Sequence, residues 1–158
     1  MTYYNVIIGC FDGSGTSIVF KTRVCLPKDI PPNLRDQSPV NGDLKALCMS
    51  IPTVFTSEIA RDYVPMAHIG WITNILPEGK DIRVEYRLAS AIGPFPADRV
   101  EDALGLKNNP SLKSGWGDMQ RSHWRIEQGD VFERFFKAGL FETVRPTVFK
   151  VLPDHLSV

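Results

Sequence analysis

Histidine and cysteine are scarce in this chain, at three residues each, and no two of them stand at metal-ligand spacing. A zinc centre draws on close pairs such as Cys-x2-Cys or His-x3-His, so the isolated Cys10, Cys25, Cys48, His68, His123 and His155 predict no metal. Three cysteines, two of them inside apolar runs, point to buried reduced thiols rather than a disulfide framework. An excess of charge of one sign is also lacking, since 18 basic residues balance 18 acidic ones. Phosphate neutralisation supplies most of the affinity of a duplex-binding module, so nucleic acid is not the favoured partner. The same balance speaks against an electrostatic membrane anchor. No run approaches the ~20 apolar residues of a membrane span, and the first residues carry no positively charged leader. The expectation is a cytoplasmic chain with no membrane partner.

What is present is an ordinary globular composition: 158 residues, 43% hydrophobic and 23% charged. That length suits one shared core, and no repeat, low-complexity stretch or linker divides it, so 1–158 read as a single domain. Residues 3–26 read as a β-hairpin. An apolar first strand meets Asp12-Gly13-Ser14-Gly15, which tolerates positive φ, and Ile18, Phe20, Val24 and Leu26 then alternate with Lys21 and Arg23. Residues 67–89 read as a second hairpin across Pro77-Glu78-Gly79-Lys80, with Ile82, Val84, Tyr86 and Leu88 alternating with Arg83, Glu85 and Arg87.

Between the hairpins, four prolines make 27–43 a loop, 44–51 reads as a short strand, and Ser57 caps a helix over 57–63. Pro96 and Gly105 bracket a helix over 97–104. A loop over 107–120 leads to a strand at 122–128. Asp130 then caps a helix over 131–138, with Glu133 placed to complete a capping box, and 147–152 reads as a last strand. Two tight hairpins and three short helices predict an α+β fold on an antiparallel or mixed sheet.

Few residues suggest chemistry. Ile8-Gly9-Cys10-Phe11-Asp12-Gly13-Ser14-Gly15-Thr16 resembles the first phosphate loop of the actin and sugar-kinase superfamily, in which an Asp and small residues join two strands around a nucleotide phosphate. That resemblance implies two large lobes and a second phosphate loop, which 158 residues do not hold. The same residues satisfy the demands of a tight turn, and that is the reading adopted. No Gly-x-Ser-x-Gly elbow is present. Cys25 shares a strand face with Lys21 and Arg23, which would lower its pKa, although a small hydrophobe at a strand end is the simpler reading. Asp81, Glu85 and Arg87 loosely resemble a metal-dependent nuclease strand without its lysine; alternating charges on a wet face explain them better.

The richest cluster is Trp116, Arg121, His123, Trp124 and Arg125. On a strand, Trp124 faces the core while His123, Arg125 and Glu127 face out, so Trp116, Arg121, His123 and Arg125 form the candidate binding set. No catalytic residue and no cofactor can be assigned. The absence of a chemical constellation favours a non-catalytic recognition or assembly module with a protein partner or a second copy of the chain. The alternatives are a small hydrolase or nuclease using His123 with its neighbouring arginines, and single-stranded nucleic-acid binding through Trp116 and the arginines.

Overall fold

A run of residues that is apolar at nearly every position must be covered on both faces, and Tyr3–Ile8, broken only by Asn5, is such a run. In the computed structural model, which describes residues 2–9, 11–60, 62–106 and 117–141, it forms β1, buried from Tyr4 onward. The other strands are β2 (Thr16–Phe20), β3 (Pro52–Thr56), β4 (Met66–Glu78), β5 (Asp81–Leu88), the two-residue β6 (Phe95–Pro96) and β7 (His123–Gln128). The helices are α1 (Gly42–Ser50), α2 (Ala97–Leu104) and α3 (Val131–Lys137). The sheet order is β2-β5-β4-β3-β1-β7, with β6 paired to β4. Among the described strands only β1 and β3 run parallel, so the sheet is mixed and the fold is α+β.

The hairpin expected over 67–89 is present as β4 and β5, and α2 and α3 lie where capping signals put them. Residues 3–26 are not a hairpin. β1 sits between β3 and β7, whereas β2 pairs with β5. The doubly covered β1 belongs inside the sheet, between β3 and the edge strand β7, and the half-exposed β2 belongs at the opposite edge. Residues 44–50, expected as a strand with Ile51, are helical, because Leu44 and Cys48, four apart, form one buried stripe. No helix occupies 57–63. The Ser57 hydroxyl donates to the Phe11 carbonyl at 3.1 Å instead of capping, and Ala60 and Tyr63 form an isolated bridge. The strand expected at 147–152 lies outside the described residues.

After β2 the chain crosses to the far edge of the sheet. Val24 bridges Trp124 in parallel, and the Cys25 amide donates to the Trp124 carbonyl at 2.8 Å. The sheet therefore curls around an inner core that includes Ile7, Phe55, Ile75, Val84 and Trp124, to which α1 adds Leu44 and Cys48. On the outside, α2 and α3 cover β1 and β3, burying Tyr4, Val6 and Val54 against Val100, Leu104 and Phe135. Gly70 permits the close approach of β4 and β5, since a Cβ there would stand 2.3 Å from the Arg87 carbonyl oxygen. Among the described residues no helix is long and apolar enough to cross a membrane.

Candidate functional site

The alternation of β7 places Trp124 and Ile126 in the inner core and turns His123, Arg125 and Glu127 to the opposite face. The structure brings three of the four candidate residues together there, around Asp29; Trp116 lies outside the described residues. Asp29 comes from the 3-10 turn Pro27–Asp29, which is seated against β7 and is itself buried. Arg121 grips it in a forked pair, Nη2 to Oδ1 at 2.6 Å and Nη1 to Oδ2 at 3.2 Å. Arg125 reaches Asp118 Oδ1 at 3.0 Å through Nη1 and Glu127 Oε1 at 2.7 Å through Nε.

His123 does not face solvent as the strand alternation suggested. It has no exposed surface, because the neighbouring segments fold over it. Its Nδ1 lies 3.0 Å from the Arg121 carbonyl, which can only accept, so Nδ1 carries the proton. The lone pair on Nε2 then faces the Arg125 guanidinium, 3.4 Å away. Burial first, and the charges of Arg121 and Arg125 further, push its pKa down to about 4. The imidazole is neutral and walled off from any substrate.

The cluster has three carboxylates facing two guanidinium groups and a neutral histidine. Both arginines are committed to carboxylates, so the cluster offers no spare cation to a phosphate or an anionic ligand. What it can do is fasten the 27–29 turn and the Asp118–Gln120 turn to β7. Among the described residues no three His, Cys, Asp or Glu side chains gather to hold a metal.

The turn that resembles a phosphate loop is likewise satisfied from within. Asp12 Oδ1 accepts from the Ser14 amide at 2.9 Å, and Ser14 Oγ accepts from the Thr16 amide at 3.4 Å. Cys25 and Cys48 are free and buried. Burial pushes both thiols up, Cys48 to about 12, so Lys21 and Arg23 do not activate Cys25.

Two features escape sequence reasoning. Asn5, inside an apolar run, is fully buried and hydrogen-bonded to three partners. Phe11, Phe55, Tyr86 and His68 form an aromatic group, with Phe55 and Tyr86 centroids 4.4 Å apart. The Tyr86 hydroxyl lies beside Gly13, Ser14 and Gly15 and the His68 imidazole beside the Met66 backbone, each buried without a well-formed hydrogen bond.

The outer face of β2 and β5 has no part in the cluster that α2 and α3 bury, and Trp71 of β4 stands at its border, its ring 6.5 Å from that of Phe132 on α3. Ile18 is 41% exposed, Phe20 57% and Trp71 38%. The charged residues among them are of both signs, with Arg83 and Glu85 3.9 Å apart.

No family model matches this chain. No curated protein and no solved structure is detectably similar to it either. The function must be argued from the chain's own surface.

Proposed function

We propose that this chain is a non-catalytic recognition or assembly module that acts through protein–protein contacts. The observation that carries the reading is the outer face of β2 and β5, bordered by Trp71 of β4. A sheet face normally pairs an inner apolar side with a wet outer one, yet here Ile18, Phe20 and Trp71 all stand outward. Large apolar side chains on one uncovered sheet face mark an interaction surface, and the mixed charges around them suit a protein better than a polyanion. The buried His123 and the carboxylate pairs of Arg121 and Arg125 favour this reading over a hydrolase built on His123.

The test is solution mass and affinity capture, run side by side on the parent chain, Ile18→Lys and Trp71→Lys. Ile18 is exposed, whereas Trp71 also packs on Phe132, so Trp71→Lys should melt somewhat below the parent while still folding. Ile18→Lys in particular should stay within about 0.5 kcal/mol. Self-association, or the captured partner, should be lost from both. Variants that fold normally and keep the parent's mass and captured partner would overturn the reading.

A further inference from the structure

Between β2 and the start of β7 the curl of the sheet leaves a slot of about 120 Å³, walled by Ile8, Gly9, Val19, Phe20, Arg23 and Ser122. The slot is lined mainly by apolar side chains, and no carboxylate lines it. An apolar cavity of about 150 Å³ accepts benzene, so a slot of this size, open on one side, takes one small ring or a branched alkyl group.

The register of β2 on β5 decides where its backbone points. The Tyr86 amide donates to the Gly15 carbonyl at 2.9 Å, and the Lys21 amide donates to the Lys80 carbonyl at 3.3 Å. Thr16, Ile18 and Phe20 therefore stand at the non-hydrogen-bonded positions of the ladder. The Ile18 amide and carbonyl face away from β5, along the edge where Ile18 itself lines the slot.

Arg23 supplies the charge. It is exposed, it makes no ion pair among the described residues, and its guanidinium lies 5.9 Å from the centroid of the Phe20 ring. Lys21, two positions earlier, adds a second positive charge on the same strand exit and donates to the Gly79 carbonyl. An apolar slot with an unpaired guanidinium at its wall and a free backbone N–H within it complements an apolar body bearing one carboxylate.

We propose that the slot binds a small apolar carboxylic acid. Its carbon skeleton lies against Ile8, Val19 and Phe20, and its carboxylate is held by the Arg23 guanidinium and the Ile18 amide. Binding involves no covalent step; the slot shares Ile18 and Phe20 with the outer face, and Trp71 lies outside its lining.

Benzoate and its neutral counterpart, benzyl alcohol, are the probes, titrated into the full chain while amide resonances are followed by NMR. Benzoate should shift the Ile18 amide to saturation, and benzyl alcohol should bind about tenfold more weakly. Arg23→Gln should weaken benzoate by about tenfold at an unchanged melting temperature, because it removes the charge and leaves the slot intact. Trp71→Lys should leave benzoate binding as in the parent, which separates this site from the protein-contact face. Equal affinity for benzoate and benzyl alcohol, an Ile18 amide that does not move, or undiminished benzoate binding by Arg23→Gln would overturn the proposal.

Discussion

The three hydrogen bonds of the Asn5 side chain go to three different elements of the fold. Nδ2 donates to the Cys48 carbonyl of α1 and to Thr53 Oγ1 of β3, each at 3.0 Å, and Oδ1 accepts from the Trp124 indole at 3.0 Å. Truncating the side chain strands the indole N–H and the carbonyl in a dry core. Asn5→Ala should therefore cost roughly 1–3 kcal/mol for each group orphaned, read as a lower midpoint in urea unfolding. Asp29 makes a comparable case with charge. Removing one partner of a buried ion pair costs about 3–5 kcal/mol, and Asp29→Ala should fall at the low end because Arg121 retains solvent contact. A double-mutant cycle with Arg121→Ala measures the coupling; additive losses would mean that the fork contributes nothing beyond packing.

At the scale of elements, α3 shows what a sequence displays openly. Asp130 accepts from the Phe132 amide at 2.9 Å and from the Glu133 amide at 3.2 Å, as its position before an apolar stripe implies. Asp130→Ala should cost roughly 0.5–2 kcal/mol and lower the melting temperature by a few degrees without changing the fold. Glu133 does not complete a box and pairs instead with Lys137 at 2.7 Å. Caps and the β4–β5 turn are legible because a few adjacent residues determine them. The pairing of β1 is not, since its neighbours come from distant parts of the chain. The helix α1 was hidden for a related reason: Leu44, Ala46 and Cys48 also read at period two, and only packing chooses the period. The candidate site was half legible. Arg121, His123 and Arg125 cluster as their proximity on one strand implies, but the burial of His123 depends on Asp29, 94 positions earlier in the numbering.

For the molecule as a whole, two buried groups titrate in opposite senses. Burial lowers His123 from 6.5 to about 4, so its contribution to stability is full above pH 6.5 and is lost as the pH falls towards 4. Burial, with Asp102, Asp98 and Asp118 nearby, raises Glu101 from 4.5 to about 7, so its contribution is full below pH 4.5 and is lost as the pH rises through 7. The two should partly cancel between these limits in the parent chain. Glu101→Gln should gain on the parent as the pH is raised from 5 to 8, and urea unfolding at stepped pH checks it; parallel curves would place Glu101 in water. The interior seat of β1, between β3 and β7, has a further consequence, for synthesis. Asn5 and the Trp124 to which it bonds are 119 positions apart. At ribosomal speeds of about 5–20 residues per second, the first strand waits roughly 6–24 s for its last neighbour to be made. Throughout that interval one edge of the most apolar strand stands open, and the nascent chain must be guarded before it can close.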